Sequence, residues 1–421
     1  MSAYTDPVPL GRSTDWPEYV ADYALPVIYG RVRIAPRPYD RDGTLWLLAG
    51  HPIAGVDRVE LGGSETDGWA LQNGVDPTGR AIAVLETAQP VASADDLKVE
   101  LRGKMHPRTG DLLDRPDLIL WDWLAGVCGM PVSQSALDDL RSWSQDNGIR
   151  CGGMIDDASQ TIQSATDSIA AGMGLAWSAA LAGVAIPWPG VPAGIAETLD
   201  VRADDVEAAA SAGDITTRLR IDYAMDWAAG RPGRSLIMDA PGAMERYGMR
   251  ESTITAAWIT DTRSAESMAE RWLRWYAGPS WEINARTAQP IAVGSPVTLD
   301  HPHCPATTAV CIAATIGDTD TAITCLAGAD YSGEVRVVRR STGADLDART
   351  DTTYTYRDGL LTYTVRDAAG RPLAGARITL DGAQTRSTDV HGRVQFRATR
   401  GRHVLTIEAA GYQTQTVEVT I

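Results

Sequence analysis

Phenylalanine occurs once in these 421 residues, at Phe396, and lysine twice, at Lys98 and Lys104. No Cys-x-x-Cys pair exists, and no apolar run approaches the roughly 20 residues that span a bilayer. There is no glycine-rich phosphate loop, no Gly-x-Ser-x-Gly elbow, no His-Glu-x-x-His and no EF-hand loop. Gly152-Gly153 and Gly172-x-Gly174 are too short to cradle a phosphate. Each absence removes a signature: zinc ribbon, membrane span, nucleotide-binding loop, α/β-hydrolase elbow, zinc protease, calcium sensor. A Ser–His–Asp triad, whose members can be distant in sequence, stays open, and with it a wall hydrolase as a third reading. Residues 1–7 carry neither a basic nor an apolar stretch of the kind that directs secretion, so a cytoplasmic origin is expected.

Positive charge is also scarce. Lys and Arg number 38 against 54 Asp and Glu, a net charge of −16. Phosphate polymers and anionic membranes are repelled by that balance, so neither is expected as the main partner. Membrane insertion is not expected, and contact with passing DNA would be transient. Arginine supplies every base but two, which with the abundant Ala and Gly points to a GC-rich bacterial or viral source. Hydrophobic residues at 44% and charged residues at 22% are those of a globular chain long enough for several cores.

The five cysteines, Cys128, Cys151, Cys304, Cys311 and Cys325, are odd in number and widely spread, which is not a disulfide framework. Cys304, Cys311 and Cys325 lie close in sequence with His301 and His303 beside them, so a metal or iron–sulfur site is a formal alternative. Cys311 and Cys325 sit inside apolar runs, and that favours core cysteines over ligands. Six histidines offer no selected base; His51 and His106 precede Pro and belong in turns.

Along the chain, Pro26–Ile34, Thr44–Ala49, His51–Leu61 and Val99–Arg102 read as strands, after an extended arm over residues 1–24. From residue 115 the period becomes helical. Helices are expected over 117–128, from a cap at Ser133 or Ser135 to Asn147-Gly148, and over 158–173. Leu175–Ile186, Asp214–Asp222 and Ser235–Met238 read as strands. The best helix follows: Asp261 or Thr262 caps it, and Ala265, Met268, Ala269, Trp272, Leu273 and Tyr276 form one apolar stripe up to Gly278-Pro279. Strands over 281–285, 296–299, 310–316 and 322–326 suggest a small antiparallel barrel. Residues 332–358 read as a polar linker with some strand. Short strands spaced by turns over 359–421 carry the signature of a β-sandwich.

Asp138-Asp139, Asp156-Asp157 and Asp204-Asp205 are acidic doublets, and paired carboxylates can cleave glycosides. Adjacent residues on a helix diverge by about 100°, so a doublet is not itself a catalytic pair. Asp157 and Asp204-Asp205 are instead expected at helix starts.

Several segments, in order, resemble the tail hub (baseplate hub) proteins of long-tailed bacteriophages and gene-transfer agents. They are Leu25-Pro-Val-Ile-Tyr-Gly-Arg-Val32, Leu48-Ala-Gly-His-Pro-Ile-Ala-Gly-Val56, Pro116-Asp-Leu-Ile-Leu-Trp-Asp-Trp-Leu124, the run Ser264–Ala277 with Trp281-Glu-Ile, and Val293–Pro302 closing at Leu326-Ala-Gly-Ala-Asp-Tyr331. Val365–Leu380, Thr388–Phe396 and Gly411-Tyr412 resemble the carboxypeptidase-regulatory-like β-sandwich. The resemblances imply an α+β, β-rich hub body over 1–331. Within it lie a helical region at about 115–175 and a closing barrel at about 281–331. A linker over 332–358 and an Ig-like sandwich over 359–421 complete the chain. They imply a structural virion protein at the tail tip or baseplate, a homotrimer with two barrel-like domains per chain. Its partners would be the tail tube and distal tail proteins, the tape measure protein, and other baseplate or receptor-binding proteins. No catalytic residue, cofactor or metal is implied. The alternative is a receptor- or carbohydrate-binding tail protein acting through the terminal sandwich.

Overall fold

A computed structural model describes residues 2–13, 23–178, 184–190, 197–199, 201–211, 213–299, 308–317, 319–329, 331–342, 350–357, 359–367, 372–409, 412 and 414–420. The chain divides into two compact units, residues 1–232 with 236–340, and residues 341–421 with 233–235. The fold is β-rich α+β with several sheets and a terminal Ig-like sandwich.

The first part of the body is two facing sheets. Arg37–Pro38, Leu45–Ala49, Ala81–Thr87 and Trp69–Val75 form a four-stranded antiparallel sheet. Arg31–Ile34, Leu97–Arg102 and Gly55–Leu61 belong to an eight-stranded sheet. Leu97, Val99 and Leu101 are buried while Lys98, Glu100 and Arg102 are half-buried, the period of two that one covered face demands. Trp46, Leu48 and Leu85 from one sheet meet Ile34, Val59 and Val99 from the other in a single core. Each such side chain withdrawn from water contributes roughly 1.5–3 kcal/mol before entropy is counted.

The strand expected over Pro26–Ile34 is two strands. Gly30 sits between them at φ +61°, a conformation that favours glycine. Val27–Tyr29 pairs with Gly153–Ile155, whereas Arg31–Ile34 pairs with Leu97–Arg102. The hairpin of Trp69–Val75 with Ala81–Thr87 was not anticipated: its outer strand is an exposed edge with little apolar alternation.

Helices follow their caps. Pro116–Trp121 starts with Pro in its first turn and runs on as a π-helical turn, Asp122–Val127. Ser133, Thr161 and Asp261 cap Gln134–Asp146, Ile162–Gly172 and Thr262–Tyr276. The third therefore begins at Ile162, four residues later than its apolar spacing suggested. The run Leu175–Ile186 is a hairpin, Leu175–Ser178 against Val184–Pro187, rather than one strand. A short helix, Pro241–Tyr247, and a parallel strand, Glu251–Ala256 beside Arg218–Asp226, complete this layer.

The expected barrel exists with a different membership. Its six strands run in the order Glu197–Leu199, Pro296–Leu299, Thr308–Ile316, Thr321–Ala327, Ser280–Thr287, Val201–Ser211. The first and last are opposite edges, about 24 Å apart in a flat sheet. Yet Leu199 and Val201 are two residues apart in the chain, so their Cα atoms lie within about 7.6 Å. The sheet must therefore curl until these two edges meet, as in a barrel. One pair, Glu197–Leu199 with Pro296–Leu299, is parallel, so the barrel is not wholly antiparallel. Its core is narrow: Ala285, Ala309, Cys311, Cys325 and Ala327 with Ile283, Val297 and Ile323. Small interior residues are what a barrel of few strands can hold.

In the second unit Thr350–Arg357, Leu360–Asp367 and Arg393–Arg397 form one sheet. Gln384–Ser387, Arg377–Leu380, Arg402–Glu408 and Gln415–Thr420 form the other. Leu361, Tyr363, Val365, Ile378, Phe396, Leu405 and Ile407 fill the space between them. The segment expected as a linker is largely strand. Arg336–Thr342 extends the eight-stranded sheet, and Thr350–Arg357 is the first strand of the sandwich. The alternating Thr and Tyr of Thr352-Thr-Tyr-Thr-Tyr356 carry the β propensity that its polar composition masks.

Candidate functional site

One buried polar cluster of the body joins three elements. Asp122, at the start of the π-helical turn, accepts a hydrogen bond from the Tyr29 hydroxyl at 2.7 Å and an ion pair from Lys104 Nζ at 2.7 Å. Tyr29 is fully buried and the Asp122 side chain is 6% exposed. Burial and the Asp122 charge push the Tyr29 hydroxyl well above its ordinary range, so it donates and does not act as a base. Nearby, His51 Nε2 accepts from the Ile28 amide at 2.9 Å, which leaves Nδ1 to donate to the Pro52 carbonyl at 2.8 Å. Burial lowers the His51 pKa to about 4, so the ring is neutral. All these groups are committed to one another. The arrangement is a clasp between a strand, the segment around Lys104 and the helix layer.

Arg271 is the second unusual group. Its Nη2 donates to the Gly174 and Trp188 carbonyls at 2.9 and 3.2 Å, and its guanidinium lies 5.0 Å from the centre of the Trp143 ring. Desolvation lowers its pKa to about 10. Backbone carbonyls and an aromatic face thus hold the charge in place of a carboxylate. Among the described residues, two of the clefts that open to solvent carry polar linings. One, of about 490 Å³, is lined by His106, Asp111, Asp114, Arg115, Arg141 and Arg150. Its guanidiniums are already spent: Arg115 on Asp117, Arg150 on Asp114, and Arg141 on Asp138 and Asp117. The other, of about 400 Å³, lies on the barrel beside Glu207, Asn284, Arg286 and Thr324.

Residues singled out in the sequence are not brought together. Cys311 and Cys325 face each other across the barrel strands and are fully buried. Cys304, His301 and His303 lie outside the described residues. Cys151 is buried 23 or more residues from the other cysteines in sequence, and Cys128 is half-buried at the C-terminal end of the π-helical turn. Among the described residues no three of His, Cys, Asp and Glu converge as metal ligands. Asp138 pairs with Arg141 at 3.1 Å, and Asp156 with Arg37 at 2.6 Å. Asp157 closes a turn on Ser159 and precedes its helix by five residues, and Asp204-Asp205 lies in the strand Val201–Ser211. Neither doublet sits at a helix start: Asp204-Asp205 falls where the strand's register against Ser280–Thr287 shifts, between Val201 and Val206. Gly153 and Gly172 make room for Trp258, whose ring a Cβ at either would meet at 2.5 Å. His106 lies beside its turn, stacked on Trp121 at 5.1 Å. The Tyr29–Lys104–Asp122 clasp has no sequence motif; its one signal was the rarity of lysine.

No helix among the described residues is long and apolar enough to cross a membrane. A search of curated proteins finds no match. Among solved structures the chain is similar to a component of the virion of a native gene transfer agent particle: 14% identity over 74% of this chain and 88% of that one, TM-score 0.46. It is similar to a 43 kDa prophage tail protein from Shewanella oneidensis, at 11% identity over 76% and 97%, TM-score 0.33. A tail protein from Neisseria meningitidis shares 12% identity over 72% and 96%, TM-score 0.28. Residues 361–421 match the family model of the carboxypeptidase regulatory-like domain.

Proposed function

We propose that this chain is a structural virion protein, the hub of a phage tail tip or baseplate, and not an enzyme. Three copies would form a ring that ends the tail tube, docks the tube, distal tail and tape measure proteins, and opens for DNA during infection. The observation that carries the reading is the order of elements: a two-sheet β domain, a helical layer, then a barrel closed by strands drawn from residues 197–327. That is two barrel-like bodies per chain, which three-fold repetition turns into a ring of six. The reading rests on this order and not on overall likeness to the tail structures named above. A net charge of −16 suits a channel for DNA, because like charge keeps the polymer from sticking. The test is the assembly state of the purified chain: trimeric rings with a central hole support it.

A second reading is favoured by the terminal unit, which has its own core and matches a β-sandwich family over 361–421. In it the sandwich recognises the host surface. Binding of the chain to host cells or a glycan array, lost on removing residues 359–421, supports it; silence in both assays removes it.

A further inference from the structure

The stretch 359–421 carries the opposite charge to the rest of the chain. Residues 359–421 hold eight arginines against five Asp and Glu, while residues 1–358 hold 30 bases against 49 acids. Within the sandwich some of these charges are paired and others are not. On the four-stranded sheet Arg377 pairs with Glu408 at 3.8 Å, Arg402 pairs with Glu418, and His403 pairs with Asp381 at 2.6 Å. Arg386, Arg393 and Arg397 are exposed and make no ion pair among the described residues. Asp389 feels the Arg393 charge, but its Oδ1 is taken by the His391 and Arg393 amides.

Their geometry is ordered. Arg393, Gln395 and Arg397 alternate outward along Arg393–Arg397, with Val394 and Phe396 turned into the core. The two guanidiniums therefore rise from Cα atoms about 13 Å apart on one face. Between them Gln395 Nε2 donates to the Thr362 hydroxyl at 3.3 Å. Arg386 comes from the other sheet and is fixed there: its Nη1 donates to the Gln395 carbonyl at 2.9 Å, and its guanidinium lies 5.9 Å from the Phe396 ring centre. Gln384 donates to the Arg397 carbonyl at 3.4 Å in the same way. These contacts cover the open edge of the strand and hold one cation in place before any ligand arrives.

We propose that this arginine face binds a phosphate-bearing glycopolymer of the bacterial envelope. Guanidinium forks match phosphate oxygens in a bidentate fashion. The one phenylalanine on the strand Arg393–Arg397 is buried, so no aromatic side chain alternates outward there with Arg393, Gln395 and Arg397. DNA carries the same phosphate but as a stiff duplex, so it serves as the control surface in the test. The inference deepens the second reading above and leaves the hub reading untouched, since ring assembly is measured separately.

The experiment is biolayer interferometry of the full chain on immobilised poly(glycerol phosphate), from about 25 to about 200 mM salt, with dextran and duplex DNA as parallel surfaces. The expected result is binding to the phosphate polymer over both others. Arg393→Gln with Arg397→Gln should weaken it about tenfold or more and lower the salt slope by about 1.4, roughly 0.7 for each lost contact. Arg377→Gln with Arg402→Gln, on the other sheet, should leave affinity within about twofold of the unmodified chain. The proposal is overturned by no binding, by equal binding to dextran or DNA, or by equal loss in both variants. Unchanged melting profiles of both variants confirm that folding is not what is read.

Discussion

Removing Asp122 should unlock the body. The carboxylate is 6% exposed and is the acceptor for both a fully buried phenol and the Lys104 ammonium. Asp122→Leu would leave both donors without it. Breaking a buried pair by deleting one partner costs about 3–5 kcal/mol, and a stranded neutral hydroxyl about 1–3 kcal/mol. Lys104 is 25% exposed and can turn toward water, which places the total near the lower end, about 4 kcal/mol. Lys104→Met alone should cost less, about 1–2 kcal/mol, because Asp122 keeps the Tyr29 hydrogen bond. The double variant should recover part of the Asp122→Leu loss, since no buried cation is then stranded. Urea unfolding followed by tryptophan fluorescence on all four proteins gives the cycle, with a coupling of about 2 kcal/mol expected. Additive effects, or an Asp122→Leu cost below about 0.5 kcal/mol, would refute the view that these groups form one clasp.

Three further outcomes follow from individual contacts. Gly30→Ala should abolish soluble protein, because a Cβ there would sit 2.1 Å from the Cys151 carbonyl oxygen; Gly62→Ala, at φ +57° with open space around it, should cost only about 1–2 kcal/mol in the same expression and urea assays. The two units should respond to pH in opposite directions. His51 has a folded pKa lowered to about 4 from 6.5, so the unfolded chain binds more protons between those values; body stability falls as pH drops through the window, by about 3 kcal/mol in all. His403 is raised by its bond to Asp381, so its contribution is complete below the unfolded value and is lost as pH rises through the folded one. Calorimetry of the full chain and of His51→Gln and His403→Gln at pH 4.5, 6 and 8 checks both signs, each variant flattening only its own unit's response. Asp261→Ala removes the carboxylate that accepts the Ser264 amide at 3.0 Å and should destabilise the body by about 1 kcal/mol in urea.

What the sequence disclosed depended on whether a local pattern and its tertiary partner agreed. The Thr262–Tyr276 helix was legible because its stripe and its Asp261 cap both point the same way, and its buried residues are Ala265, Met268, Ala269 and Leu273 as spaced. The barrel strands from Ser280 to Ala327 were legible from alternation alone. Val201–Ser211 was not: its Ala and Asp residues favour helix or turn, and only pairing along Ser280–Thr287 makes it a strand. Glu251–Ala256 was hidden similarly, a short polar strand that exists because it runs parallel to Arg218–Asp226. The clasp was invisible because Tyr29 and Asp122 are 93 residues apart and carry no shared motif. The arginine face was the opposite case. Its signal, a local reversal of charge after residue 358, is plain in the composition but is lost when the chain is summed to −16.

The central claim, a ring-forming hub, is tested most directly by the native mass of the purified full chain together with negative-stain images. One chain weighs 45.1 kDa, so the account predicts a species of about 135 kDa, seen as rings with a central hole. Single 45.1 kDa particles at every concentration, or a closed dimer without a hole, would contradict it.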